Sequence, residues 1–137
     1  MPIPIYDCTA PVFRQMLECQ MALLHKADAH CEATNTDPIS IVNAKLSPRS
    51  QTYGEHVRSL TRIANQTSSR LADTPLEKPN SKGNDLGKLI TRVAHSLNVV
   101  NSLTRDNFSA AETRTYSVIN TNGETGNVSA HEYLAHF

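Results

Sequence analysis

Three stretches of this sequence repeat apolar residues at spacings of three and four, the pattern of an α-helix that buries one face. The first, over about residues 9–34, has a stripe of Val12, Phe13, Met16, Leu17, Gln20, Leu23, Leu24 and Ala27. The second, over about residues 51–72, has Tyr53, His56, Val57, Leu60, Ile63, Ala64 and Leu71. The third, over about residues 85–103, has Leu86, Leu89, Ile90, Val93, Leu97 and Val100. Three long amphipathic helices predict an all-α bundle.

Local signals mark where these helices begin. Thr9 can cap the first helix, with Pro11 tolerated in the first turn because no hydrogen bond is lost there. Asp37-Pro38 is typical of a cap followed by the first residue of a short helix. Asn84 or Asp85 can cap the third long helix.

The last third of the sequence changes character. Residues 113–128 are rich in β-branched residues and contain Asn122-Gly123, so they predict a small β-hairpin. Ser129 and Glu132 have capping-box spacing and predict a last helix over residues 129–137, which has scarcely two turns. The fourth helix of the bundle is thus only begun, and one side of the bundle is expected to be open.

Composition restricts the class of protein. A length of 137 residues predicts a single domain over residues 1–137. Thirteen basic residues balance thirteen acidic ones, which argues against a nucleic-acid partner. No apolar run approaches the ~20 residues of a membrane-spanning helix, and the short N-terminus does not resemble a signal peptide. An odd number of cysteines without a C-x-x-C pair favours a reducing compartment. We therefore expect a cytoplasmic protein without a membrane partner.

Histidines are the main candidates for metal-binding or catalytic residues in the sequence. His56 falls within an apolar stripe, where a histidine is more often a hydrogen-bonded core residue than a metal ligand. His131 and His136 are five residues apart, about 140° around a helix, so they cannot both face one ion. A metal site built on His56 and His136 would have two protein ligands, one fewer than a catalytic zinc requires.

The remaining charged residues have structural interpretations. Asp7 can accept hydrogen bonds from amides at the start of the first helix, which is favoured over a role as a general base. Glu55, Arg58 and Arg62 share one helix face and are interpreted as a solvated charge ladder, not as a phosphate site.

Six stretches follow each other along the chain: IYDCTAPVF at 5–13, LLHKADAH at 23–30, NAKLSP at 43–48, RLA at 70–72, the helix at 86–103 and YLAHF at 133–137. In this order they resemble a bacterial and fungal family of unknown function within the clan of DinB/YfiT-like proteins, and the resemblance covers essentially the whole chain.

The resemblance implies an up-and-down DinB-like four-helix bundle whose last helix is truncated. In the clan, a histidine of the second helix and two of later helices bind a divalent metal such as zinc, nickel or manganese. Only His56 and His136 match these positions here. In the family, the motif that ends at Phe137 continues into a long aromatic-rich helix that closes the bundle. The resemblance therefore implies either a truncated member or a core completed across a homodimer.

Two functions follow as hypotheses. The chain binds or transforms a small molecule in the trough between the helices, with His56, Tyr53 and Tyr133 as candidate catalytic residues and His56 and His136 as candidate metal ligands. Alternatively, it is a non-catalytic dimerisation or protein-interaction module whose open trough accepts a helix.

Overall fold

The structure is a computed structural model that describes residues 3–76, 85–119 and 122–135. Its elements are α1 (Ile5–Thr34), α2 (Ile39–Val42), α3 (Tyr53–Ala72), α4 (Leu86–Asn101), two 3-10 turns (Arg105–Phe108 and Ala111–Thr113), β1 (Thr115–Ile119), β2 (Thr125–Ser129) and α5 (Ala130–Ala135). The described part of the chain is a helical bundle with one antiparallel hairpin, which confirms the fold class predicted from the helical stripes.

The core is centred on α4. This helix packs against both α1 and α3, whereas α1 and α3 contact each other much less. On α1 the residues that face the core recur every seven positions, at Ala10, Leu17, Leu24 and Cys31. Because α4 covers only one side of the α1–α3 pair, a trough runs between α1 and α3 on the other side.

Helix α1 begins earlier than its predicted cap. It starts at Ile5, and Thr9 lies inside it, where the Thr9 hydroxyl donates to the Ile5 carbonyl oxygen at 2.9 Å. The Asp7 carboxylate does not cap the helix, since it accepts two hydrogen bonds from the Arg105 guanidinium, at 2.7 and 3.2 Å. Arg105 also lies 4.8 Å from the centroid of the Tyr6 ring. These contacts join segments nearly a hundred residues apart in sequence at the first turn of α1, which begins one turn before its local signal.

The other helix starts follow the local signals. Asp37 Oδ1 accepts from the Ile39 amide at 3.1 Å, and Asp85 Oδ1 accepts from the Lys88 amide at 2.8 Å. At the start of α3, Thr52 forms a full capping box with Glu55, which the sequence analysis missed although its T-x-x-E spacing is visible.

The hairpin and the start of the last helix lie where they were predicted. Ile119 pairs with Thr125, so five residues, 120–124, connect the two strands, and Asn122-Gly123 lies among them. Residues 120–121 of this connection are outside the described residues. Ser129 Oγ accepts from the Glu132 amide at 3.2 Å, as the capping-box spacing predicts. Helix α5 is described to Ala135, so the predicted positions 136–137 lie outside the described residues.

The apolar stripe predicted on α1 is only partly buried. Leu17 and Leu24 are in the core, but the side chains of Val12, Met16 and Leu23 are 45%, 54% and 55% exposed. Together with the exposed Cys19, these three residues form a row along the trough side of α1, which we call the α1 row. The prediction that the whole stripe is core was wrong, because α4 covers one edge of the stripe and no described element covers the other.

Candidate functional site

A concave site lies where α1, α2 and the start of α3 meet. This Tyr53 groove has a volume of about 440 Å³. Its lining residues are Leu23 and Ala27 of α1, Ile41, Ala44, Lys45 and Leu46 of α2 and the loop after it, and Gln51, Tyr53 and His56 at the start of α3. The walls are mainly aliphatic, and four polar side chains lie among them. This combination is typical of a small-molecule site.

Gly54 brings α2 close enough to form one wall of the groove. Gly54 is buried in the first turn of α3 and has no side chain between α3 and α2. A Cβ atom at this position would lie 2.7 Å from Val42 Cγ1, closer than side-chain atoms can approach. The Tyr53 amide also donates to the Ala44 carbonyl oxygen at 2.9 Å, which joins the loop after α2 to α3.

The Tyr53 hydroxyl is the polar group with the most defined environment in the groove. Its oxygen accepts a hydrogen bond from the Gln20 side-chain amide of α1. Burial raises the pKa of Tyr53 above its usual 10.0, and the hydrogen bond from Gln20 opposes that rise. The hydroxyl is therefore neutral at physiological pH, and because its oxygen accepts from Gln20, its own proton can be donated to a ligand.

His56 occupies a different environment from the one predicted. Its stripe position suggested burial, but the side chain is exposed and lies at the rim of the Tyr53 groove. Tyr53 and His56 are one turn apart on α3, so the structure does bring these two candidates together. Lys45 lines the same groove and places a positive charge near them.

Tyr133 belongs to another part of the molecule. It is buried on α5 and stacks on Tyr116 of β1 with ring centroids 5.6 Å apart. The centroid of its ring lies 4.9 Å from the Arg70 guanidinium carbon. Fourteen residues of α3 separate His56 from Arg70, roughly 20 Å along the helix axis. The structure therefore does not bring Tyr133 into one site with Tyr53 and His56.

Only one of the two candidate metal ligands, His56, lies within the described residues. His136 lies outside them, and His56 is the only histidine, cysteine or carboxylate among the described residues that line the Tyr53 groove. Within the described ranges, no group of three or more such side chains could hold an ion. The positive charge of Lys45 also disfavours a cation in this groove. The described residues by themselves thus do not form the metal site that the resemblance implies.

A second groove lies at the opposite end of the trough. It has a volume of about 400 Å³ and is lined by Cys8, Phe13, Ile63, Thr67, His131, Leu134 and Ala135. A ring nitrogen of His131 lies 2.8 Å from the Ile3 carbonyl oxygen, so this histidine ties α5 to the segment before α1. Of the α1 row, Leu23 lines the Tyr53 groove, and no residue of the row lines the second groove. No sequence signal pointed to the second groove, because its residues come from three separate helices.

The fold is similar to that of a DinB family member protein. A crystal structure of a DinB family member protein from Shewanella denitrificans superposes with a TM-score of 0.80 and 21% sequence identity, covering 95% of this chain and 73% of that one. At this identity the similarity establishes the fold alone. No curated protein matches the chain. In the described ranges, no helix has both the length and the hydrophobicity needed to cross a membrane.

The family follows from the sequence itself. The family described as "Domain of unknown function (DUF1993)" matches residues 5–137, nearly the whole chain. The chain therefore belongs to the DUF1993 family, which confirms the resemblance to a DinB-like family of unknown function.

Proposed function

We propose that the chain binds a small molecule in the Tyr53 groove. The observation that carries this proposal is the hydrogen bond from Gln20 to the Tyr53 hydroxyl beside an aliphatic wall. The bond orients a neutral hydroxyl donor in a concave site of about 440 Å³, which is the size of small-molecule sites in general.

The lining residues indicate the class of ligand. Leu23, Ile41 and Leu46 favour an apolar body, and Leu46, which is 99% exposed, can fold over a bound molecule. The Tyr53 proton and the Lys45 ammonium favour a head group that accepts hydrogen bonds and carries negative charge. The proposed ligand is therefore a small hydrophobic carboxylate or carbonyl compound.

A titration with 2-naphthoate, a compact hydrophobic carboxylate, tests this proposal. Amide chemical shifts in ¹H–¹⁵N spectra should change in a saturable way at groove positions such as Ala44, Leu46 and His56. Tyr53→Phe keeps the ring but removes the hydroxyl donor. It should weaken binding by about fivefold, which corresponds to the net free energy of one hydrogen bond. His56→Ala should weaken it less, since His56 is at the rim.

His25→Ala provides the matched control, because His25 is an exposed histidine of α1 outside the groove. Binding by this variant should stay within a factor of two of the original protein. Saturable shifts that appear elsewhere, or an affinity unchanged by Tyr53→Phe, would remove the support for this site.

Native mass spectrometry of the same sample measures the mass of any bound ligand or metal directly. A stoichiometric zinc, nickel or manganese lost in His56→Ala would replace this proposal with the metal site suggested by the resemblance.

The α1 row supports a second candidate function, self-association. Val12, Met16, Cys19 and Leu23 follow each other at spacings of four, three and four, which is the seam spacing of a coiled coil. A second copy presents the same seam, so two α1 helices related by a two-fold axis can cover each other. Leu23 belongs to both the row and the Tyr53 groove, so dimerisation and ligand binding would compete at that end.

Sedimentation equilibrium over a wide range of protein concentrations tests self-association. Met16→Glu places a charge in the middle of the row and should give a monomer at all concentrations. Because Met16 is exposed in the single chain, its replacement should leave the monomer folded. Ala29→Glu introduces the same charge at an exposed position of α1 away from the row and should leave the dimer intact. A monomeric mass for the unmodified protein at every concentration would rule out this candidate.

A further inference from the structure

A polar cleft with an unusual concentration of arginines lies on the outer side of α3 and α4. Its lining residues are Gln51, Glu55, Arg58, Ser59, Arg62 and Arg92, and its volume is about 520 Å³. We call it the arginine cleft. In the sequence, Glu55, Arg58 and Arg62 formed a charge ladder on one helix face. The fold adds Arg92 from α4, which is thirty residues farther along the chain than Arg62.

Arg92 is held in place by a buried residue. Its Nε donates to the Thr61 hydroxyl oxygen at 2.7 Å, and that hydroxyl in turn donates to the Arg58 carbonyl oxygen at 2.9 Å. Thr61 is fully buried, so the position of the guanidinium is defined by the core. The four N–H groups on the two terminal nitrogens of Arg92 are not used in this contact with Thr61.

The charges of the cleft favour an anion. Three arginines line it against one carboxylate, that of Glu55. Glu55 is engaged at the start of α3, where its Oε2 accepts from the Thr52 amide at 2.8 Å. Burial, followed by the positive charges of Arg58 and Arg62, lowers the pKa of Arg92 below its usual range. A bound anion would relieve this repulsion between like charges.

We propose that the arginine cleft binds a dianionic phosphate group, as inorganic phosphate or as the phosphate of a small monoester. Planar guanidinium groups pair with phosphate oxygens through two parallel N–H donors, and Arg62 of α3 and Arg92 of α4 offer two such groups, with the positive charge of Arg58 beside them. The Ser59 hydroxyl offers a neutral donor at the same cleft. The proposal rests on other side chains than ligand binding at Tyr53, because no arginine lines the Tyr53 groove and the two sites share only Gln51.

Isothermal titration of the full chain with sodium phosphate, at constant ionic strength against a sodium chloride blank, tests the proposal. Saturable binding at one site is expected. Arg62→Gln should weaken it by about fivefold through loss of one charge-assisted pair, and Arg62 is exposed, so the variant should fold. Lys26→Gln removes one positive charge from an exposed position of α1 outside the cleft and should change the affinity by less than a factor of two.

Arg92→Lys distinguishes a shaped site from a diffuse positive surface. Lysine keeps the charge but cannot present a planar pair of donors, so phosphate affinity should fall although the net charge is unchanged. Circular dichroism reports whether the variant is folded. Heats equal to the chloride blank, or equal weakening by Arg62→Gln and Lys26→Gln, would overturn the proposal.

A titration with glycerol 3-phosphate distinguishes a phosphate monoester from inorganic phosphate as the ligand. Tighter binding of this monoester than of inorganic phosphate assigns the site to phosphate monoesters. Equal or weaker binding assigns it to the free ion. Both outcomes support a phosphate site, and absence of binding by both compounds contradicts it.

Discussion

Gly54 and Val42 approach so closely that a Cβ atom on residue 54 would lie 2.7 Å from Val42 Cγ1 and 3.3 Å from the Val42 carbonyl oxygen. Val42 is buried and ends the short helix α2. The loop that follows contributes Ala44, Lys45 and Leu46 to the Tyr53 groove. The absence of a side chain at Gly54 therefore determines how closely this wall of the groove approaches α3.

Gly54→Ala should destabilise the protein and distort the groove. The added methyl group overlaps Val42 Cγ1 and crowds the Val42 carbonyl oxygen, so α2 must shift, at a cost of about 2 kcal/mol in the free energy of unfolding. Urea unfolding measures the loss, and the 2-naphthoate titration should show weaker binding in the fraction that remains folded.

Gly87→Ala is the matched control on α4. A Cβ atom there would meet only Asp85 Oδ1, at 3.4 Å, so the methyl group fits. Alanine restricts the unfolded chain and favours the helix, and we expect a gain of about 0.5 kcal/mol. Equal effects of the two substitutions would contradict the special role of Gly54.

Alkaline pH should reduce stability through the half-buried Tyr53 and the buried Tyr116. Burial raises the pKa of both Tyr53 and Tyr116 above 10.0. Above pH 10 the unfolded chain releases protons that the folded chain retains, so the free energy of unfolding falls with pH until the folded pKa is passed. This contribution is fully present below pH 10. Urea unfolding from pH 8 to pH 11 should therefore show a smaller decline in Tyr53→Phe than in the unmodified protein, and an identical decline would show that Tyr53 does not contribute.

Arg70 should stabilise the attachment of the hairpin and α5 to α3. Its guanidinium carbon lies 4.9 Å and 5.9 Å from the ring centroids of Tyr133 and Tyr116, and its Nη2 donates to the Ser117 carbonyl oxygen at 2.9 Å. Arg70→Met keeps an unbranched apolar stem but loses the charge and the donor, and should lower the free energy of unfolding by about 1 kcal/mol. Arg49→Met, at an exposed loop position, should change it by less than about 0.5 kcal/mol.

Removal of the Arg105 guanidinium should loosen the first turn of α1. Arg105 pairs with both carboxylate oxygens of Asp7 and lies over the Tyr6 ring. In Arg105→Gln, hydrogen exchange measured by mass spectrometry should be faster in a peptide covering residues 5–12 and unchanged in the middle of α3. Asp106→Asn, an adjacent exposed change, should leave exchange at α1 unaffected. Equal exchange in all three proteins would show that the early start of α1 does not depend on this contact.

The helices could be predicted because their signals are local. Apolar spacing and capping residues act within a few turns, and they located α2, α3, α4, the hairpin and the start of α5. The start of α1 was misplaced because the contact between Asp7 and Arg105 joins segments that no local pattern connects. Of the predicted site residues, Tyr53 and His56 line one groove, and their roles stay predictions.

Sequence alone determined that this chain is a helical bundle with a small hairpin, and its ordered motifs predicted the family. Tertiary structure decided which side of each stripe is buried, because burial depends on which helices pack together. It left the α1 row exposed, separated Tyr133 from Tyr53 along α3, and brought Arg92 to the two arginines of the predicted ladder. An apolar stripe indicates that a helix has an apolar face. Which part of that face is buried in the core depends on how α4 packs against α1 and α3.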